Sequence, residues 1–514
     1  MKIKYIKYAL LSTVLTLGSC SSDYLDTYPT DATSPGTAFQ TTESITMAVN
    51  GLAKLMTTQH ITQGFNGEGT MKLFYGEYLG SNFRKDENGS ANQINGLNIV
   101  NNDVIYNHYP WHYYYMLITN ANEIIANVDA SEGPINDKKY LKAQALTYRA
   151  YAYTMLNQLY GHRWQDSENG AQKSVVLRLN PSDPKAMPLA TQNDVYTQIY
   201  KDLDQAILLF GESGYKKPVS ENYLIDANVS HAVYARAAIT KQDYTVALRE
   251  ASLAKKGYKL MSVTDYKAGF STPNSEWIWS SYGALDETLY FYSYQAYLAY
   301  NASTTAVRTR PGRISKEFYQ TIPDSDIRKE LFLNGELYDP KTYTASSGTT
   351  KAGTEMDKAA RASFPDIKKD AVVAAYMQFK VKANEMQGVG HLNHFRSSEM
   401  YFIEAEALHF LGRDAEAAKL LEELTKSSGR DVNYTCTKSG KDLFDEIVKY
   451  RGIELWGEGF DWFDRKRWNM PVVRKNAEQG GNYTDLLGIT ISPSDNNKWK
   501  FVIPRQESDY NPNI

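Results

Sequence analysis

Four carboxylates, Glu454, Glu458, Asp461 and Asp464, crowd the stretch "RGIELWGEGFDWFDRKRWN", and Arg465, Lys466 and Arg467 follow them directly. Two such groups could act as acid and base in glycoside hydrolysis, which requires them to face one cleft about 5 to 10 Å apart. Four acids beside three cations more commonly neutralise one another. With Trp456, Phe460, Trp462, Phe463 and Trp468 as packing, the stretch reads as a buried ion-pair and aromatic lock closing the last helices. No catalytic residue is assigned. His391 and His394 in "HLNH" lack the His-Glu-x-x-His or cysteine partners of a zinc site, so no metal ligand is assigned either. Asp86, Asn88 and Ser90 alternate oxygen ligands, yet no bidentate Glu closes a twelve-residue calcium loop. They read as a solvated turn, with structural calcium as the alternative. Neither a Gly-x-Ser-x-Gly elbow nor a phosphate loop is present, and nothing demands a cofactor.

Binding chemistry is better represented than bond-breaking chemistry. The chain carries 39 tyrosines, each an apolar ring with a polar tip, and at that frequency many must be partly exposed. A wet site for sugar rings needs flat apolar faces plus amide, carboxylate or guanidinium partners for hydroxyls. The candidates are Tyr75, Tyr78 and Asn82 in "FYGEYLGSNF", then Tyr106 and His108 ahead of a helix at Trp111. Tyr282, Tyr292, Tyr294 and Tyr297 with Arg308 complete the set. Each alone is better explained by core packing or plain surface exposure than by ligand contact; at least two of the group are expected to touch ligand. Trp111 and Trp279 are assigned to the core.

The amino end reads as an export signal. Lys2, Lys4 and Lys7 precede an apolar run from Tyr8 to Leu17, and Leu17-Gly18-Ser19-Cys20 resembles a bacterial lipobox. Residues 1–19 are then a signal peptide, Cys20 the acylated first residue, and 20–36 a Ser-, Thr-, Asp- and Pro-rich tether. The competing reading, an ordinary signal with a Cys20–Cys436 disulfide, would make a sparse framework for so long a chain. Removing 1–19 takes away three lysines and no acid, so the net charge of -3 becomes -6. That balance argues against a nucleic-acid partner.

The elements that must position these groups are mainly helices. Leu141, Ala145, Tyr148, Ala152, Met155 and Leu159 mark one face of a helix over 140–160. Val195, Ile199, Leu203, Ala206 and Phe210 mark another over 193–210, ending at Gly211. Two later segments share a spacing: Ala235, Ala238, Gln242, Ala247, Ala251 and Ala254 match Ala405, Leu408, Gly412, Ala417, Leu421 and Leu424. Each predicts helix, tight turn and helix, with small residues where tetratricopeptide repeats pack. The expected organisation is one domain, 37–514, all-α dominated, with tetratricopeptide-like helices over about 111–128, 140–160, 193–210, 230–256, 397–426 and 440–456. Irregular insertions over about 60–110, 161–190 and 260–392 would build the ligand face. In the last, a mixed α/β block, the alternation of Tyr290, Tyr292 and Tyr294 predicts a strand.

The lipobox, "YPWHYYYMLITNANEII", "SSEMYFIEAEALHFLGR", "RGIELWGEGFDWFDRKRWN" and the ending "FVIPRQESDYNPNI", in that order, resemble the SusD/RagB family of Bacteroidetes lipoproteins. The resemblance spans nearly the whole chain. It implies a four-repeat tetratricopeptide scaffold and a non-enzymatic, lipid-anchored glycan-binding protein at the outer-membrane surface. It also implies a partner, a SusC-like TonB-dependent barrel that imports the captured oligosaccharide, with the repeats facing the barrel. The readings from other classes are a repeat protein that holds only a protein partner, and a surface glycoside hydrolase.

Overall fold

The computed structural model describes residues 38–85, 90–183, 185–218, 220–285, 292–339, 341, 343–344, 348–385 and 387–514. The signal, Cys20, the tether, Asp86, Asn88 and Tyr290 lie outside the described residues.

Helix α1 (Thr42–Leu55) starts at a capping box in which Thr41 and Ser44 satisfy each other's backbone N–H, and it buries Ile45, Val49 and Leu52. Helix α2 (Ile105–Asn127) begins a turn and a half earlier than Trp111 and carries Pro110 inside it. Proline has no N–H to give the Tyr106 carbonyl four residues back; the Tyr75 hydroxyl donates to that carbonyl instead, at 2.6 Å. Helix α3 (Ile135–Tyr160) is buried on nearly all sides from Leu141 onward, with alanines at 143, 145, 150 and 152 admitting its neighbours α1, α2 and α4 (Gln192–Ser213). Thr191 caps α4, which passes through Gly211 and stops at Gly214, φ 73°. The expected stop was Gly211, but that glycine faces open space and keeps helical backbone.

Helices α5 (Ala227–Thr240) and α6 (Tyr244–Ala254) form the first matched pair, and α7 (Ser397–Phe410) and α8 (Asp414–Glu422) the second. The equivalence extends to the turn. Gln242 and Gly412 both take left-handed backbone, φ 62° and 75°. In each case the next N–H closes a six-residue ring, Asp243 to Ala238 O at 2.9 Å and Arg413 to Leu408 O at 2.8 Å. Helix α6 packs directly on α7, so the helical stack continues in space across the intervening insertion. Helices α9 (Gly440–Glu454) and α10 (Asp461–Trp468) finish it.

Strands are few and short. The main ribbon pairs Trp277–Ser281 antiparallel with Leu392–Arg396 and joins the two ends of the insertion. The strand expected through Tyr292 and Tyr294 is not formed: Ser293 caps a short helix, Tyr294–Leu298, because its hydroxyl accepts the Ala296 N–H at 3.1 Å. The 60–110 segment, expected as loops, contains a helical run from Gly67 through a wide-turned stretch Met71–Glu77. There Gly76 meets Gly459 so closely that a Cβ would stand 2.2 Å from the Gly459 carbonyl oxygen. Among the described residues, no helix is long and apolar enough to cross a membrane.

Candidate functional site

The four carboxylates of the carboxyl-terminal stretch are all engaged. Glu454, fully buried, accepts from Arg396 at 2.7 Å, Arg328 at 2.8 Å and Arg430 at 3.0 Å. Glu458 accepts from Arg396 at 2.8 Å and Lys380 at 2.7 Å, and Glu276 adds a third buried acid to Arg396 at 2.6 Å. Asp464 takes Arg451 and Arg467; Asp461 takes Arg465 and the N–H groups of Ser81 and Asn82. Burial alone would raise these carboxyls, yet the guanidiniums win, holding Glu454 well below the usual range and Glu458 at about 2. The cavity nearest this network, lined by Glu77, Asp461, Asp464 and Arg451, is only about 60 Å³, too small to admit a sugar ring. The lock therefore ties the insertion, through Glu276, Arg328, Lys380 and Arg396, to the last helices.

A larger opening, about 410 Å³, lies where the end of α1 meets the insertion ribbon. Its floor is Trp279 against Tyr148, rings 5.6 Å apart at 73°, both buried. Asn50, Lys54 and Thr57 line one wall, and Ser280 and Ser281 another. Two exposed rings stand over it, Tyr223 at 40% and Tyr282 at 53% accessibility, 6.5 Å apart and steeply inclined. Local structure explains both positions. Ser280 donates its N–H to the Asn222 carbonyl at 2.9 Å and its hydroxyl to the Asn222 side chain at 3.2 Å, tying the Tyr223 loop to the ribbon. Register shifts at Trp277–Ser280 twist the strand, and Gly283 meets Gly390 so closely that a Cβ would lie 2.1 Å from the Gly390 oxygen. That contact turns Tyr282 outward, edge-on to His391 at 5.0 Å. Burial pushes the His391 imidazole below its ordinary value, so it is neutral near pH 7.

A small adjoining cavity is bounded by Met56, Tyr282 and the Ser293–Gln295 turn. The Tyr292 hydroxyl donates to Gln63 at 3.2 Å, and Tyr297 and Tyr106 pack half-buried on Phe74 and Phe65, at 5.5 Å and 5.3 Å. Burial raises the Tyr106 hydroxyl and takes Tyr297 to about 12, so both stay protonated and able to donate. His108 lies beside His112, with ring centroids 5.6 Å apart.

Four sequence candidates are placed elsewhere. Tyr75 and Tyr294 are buried, bonded to the carbonyls of Tyr106 and Gly457, and Tyr78 is stacked on Phe74 and Phe83 in the core. Their apolar rings complete the packing of the helical segments, which removes them from any surface platform. Asn82 is buried against Asp461 and Arg465. Arg308 is half-buried and engaged, paired with Asp370 and donating to the Ser303 carbonyl at 2.9 Å. Trp111 and Trp279 are buried as assigned, though Trp279 also floors the large cavity. Tyr223 and the Asn50–Thr57 wall were not legible in sequence, since a lone loop tyrosine and a polar helix end carry no distinguishing pattern. Among the described residues, no three His, Cys, Asp or Glu side chains converge as metal ligands.

Comparison with known proteins agrees with this architecture. Residues 23–239 match a family described as starch-binding and associating with the outer membrane, and residues 247–512 match the SusD family. A SusD-like protein of Formosa agariphila is 22% identical over 498 residues, covering 90% of this chain and 91% of its own. Among solved structures, a SusD-like carbohydrate binding protein from Bacteroides vulgatus superimposes with a TM-score of 0.76 at 22% identity, covering 93% of this chain and 98% of that one. A laminarin binding SusD-like protein gives a TM-score of 0.63 at 16% identity, covering 91% and 98%. The two matched segments are separated by residues 240–246 and together cover nearly the whole chain, and the chain belongs to the SusD/RagB family.

Proposed function

We propose that the protein is a cell-surface lipoprotein, anchored through acylated Cys20, that captures an oligosaccharide or polysaccharide without cleaving it. It delivers that glycan to a SusC-like TonB-dependent barrel in the outer membrane. The observation that carries this reading is the 410 Å³ cavity with an aromatic floor, hydroxyl and amide walls, and two exposed tyrosines at its rim. Flat rings offer faces for the C–H side of a sugar, while Ser280, Ser281, Asn50 and the tyrosine hydroxyls offer partners for its oxygens. The absence of cleavage is supported by the state of the carboxylates: those of the conspicuous acidic stretch are neutralised by buried cations and face no cleft of sugar size.

The test is retention without degradation. The full chain is immobilised and exposed to a panel of plant, microbial and host oligosaccharides, with laminarin fragments included because a solved relative binds laminarin. Expected is at least one glycan retained and recovered at its original length. Release of new reducing ends by the parent would establish a hydrolase instead. A blank panel from a chain that still co-purifies with an outer-membrane barrel would establish a protein-binding scaffold.

A further inference from the structure

The chain has eight histidines, and hydrogen bonding separates them. His60 is held by the Leu55 carbonyl at 2.8 Å, His162 lies against the Lys500 ammonium at 3.1 Å, and His394 against the Ser281 hydroxyl at 2.6 Å. His231 and His409 are paired with Glu250 and Asp414, at 2.6 Å and 2.8 Å. The rings of His108, His112 and His391 make no hydrogen bond among the described residues. His391 stands by itself against Tyr282, whereas His108 and His112 lie four residues apart on α2 with ring centroids 5.6 Å from each other.

Residues four apart on a helix share a face, and two histidines at that spacing supply half the ligands of many zinc sites. Ligands about 2.0 to 2.1 Å from one tetrahedral ion hold two imidazoles at this kind of separation. Both rings are half-buried. The His108 Nδ1 is shielded from solvent, so its Nε2 and the two nitrogens of His112 are the atoms an ion can reach. Burial lowers both imidazoles below their ordinary value, so near pH 7 they are neutral and carry lone pairs. His60 stands 6.4 Å from His112 with its Nε2 spent on Leu55, and it borders the pair without being one of its ligands.

The surrounding charges favour a cation. Glu507 is the ionised side chain that acts on His108, and no lysine or arginine acts on either ring. Its oxygens accept from the Trp111 indole and the Asn511 amide, both at 3.2 Å, so it supplies negative charge from beside the pair. The other charges of that segment are spent on one another: Arg505 meets Asp103 at 3.4 Å and Asp509 at 3.3 Å. An anion would meet an acid and no cation. Calcium and magnesium take oxygen ligands, whereas two neutral imidazoles suit copper(II), nickel(II) or zinc.

The geometry points to a two-histidine site, His108 and His112, for a divalent transition-metal ion whose remaining positions are filled by water. Neither residue lines the Tyr223–Tyr282 opening, so the site is independent of the capture platform. Isothermal titration of the untagged full chain with copper(II), nickel(II) and zinc chlorides tests it, on the parent, His108→Ala, His112→Ala and His409→Ala. At least one of the ions should bind the parent, and each of the first two variants should bind it about tenfold more weakly or worse, because each removes one of two ligands. His409→Ala should bind as the parent does. No binding by the parent overturns the site, and so does parent-like binding in either His108→Ala or His112→Ala. Loss on His409→Ala alone would place the ion at the His409–Asp414 pair instead. Because a substitution can disturb the fold, the parent is also treated with diethyl pyrocarbonate, which modifies accessible imidazoles, with and without the bound ion. Mass spectrometry should show His108 and His112 protected together by the ion. Equal labelling of both in its presence and absence overturns the assignment without recourse to any variant.

Discussion

Glu458 shows how much of this molecule depends on single buried charges. Its carboxylate accepts from Arg396 and Lys380, both themselves buried. Glu458→Gln leaves those cations under-compensated, and the expected loss is about 3 to 5 kcal/mol in denaturant unfolding. Replacing the whole set by apolar residues would cost far less, so the network specifies which elements meet more than it adds net stability. Two buried acids beside α10, Glu458 and Glu77, have opposite pH signatures. Glu458 is held at about 2 in the fold against an ordinary 4.5, so its contribution is present above about pH 4.5 and lost as pH falls toward 2. Glu77 is raised to about 8, first by burial and then by Asp461, so the folded state keeps a proton that the unfolded chain has released. Stability from Glu77 is full below about pH 4.5 and declines as pH rises through 8. Glu77→Gln should therefore flatten the alkaline limb of a Tm-against-pH curve. A variant whose curve overlays the parent's would show that Glu77 is ionised throughout.

At the scale of elements, the matched helix pairs give the cleanest prediction. Gly412 has no atom within 4 Å of a hypothetical Cβ, so Gly412→Ala changes backbone strain and nothing else. The expected cost is about 1 kcal/mol in unfolding free energy. Gln242 occupies the equivalent turn with φ 62°, and Gln242→Gly should return up to about 1 kcal/mol. Equal stabilities for both variants and the parent would mean that left-handed backbone at these turns carries no strain. These helices were readable in the sequence because a 3.6-residue period and a small-residue turn are local signals. Gly67–Glu77 and the Tyr294 helix were not, because the first is dictated by the close Gly76–Gly459 contact and the second by one serine cap. The lock was also legible, since its acids and cations adjoin in sequence. Its partners Glu276, Arg328, Lys380 and Arg396 come from the far side of the insertion and carry no sequence mark.

At the scale of the molecule, the helical stack is a support, and the insertion ribbon is where it presents chemistry. The candidate platform depends on three remote segments: α1, the Tyr223 loop and the ribbon that ends at Tyr282. Sequence reading proposed Tyr282, which borders both the large opening and the small one beside it, with Tyr292, Tyr297 and Tyr106, which are half-buried, and also Tyr75, Tyr78 and Tyr294, which the structure buries. Tyrosine count and loop location cannot separate those two groups, because exposure is decided by contacts between distant segments. The proposed anchoring through Cys20 is tested separately. Cys20→Ser should release the chain from the membrane fraction without altering its glycan affinity, as read by fractionation and by titration of the soluble product. Retention of the variant in membranes would assign anchoring to another feature.

The central claim is that Tyr223 and Tyr282 hold a glycan. Isothermal titration of the parent, each single alanine variant and the double variant with the tightest glycan of the panel tests it most directly. Each ring should be worth about 1 to 3 kcal/mol, and the pair should reduce affinity at that platform below detection while the Tm stays unchanged, as expected for exposed side chains. Parent-like affinity in the double variant would contradict the account.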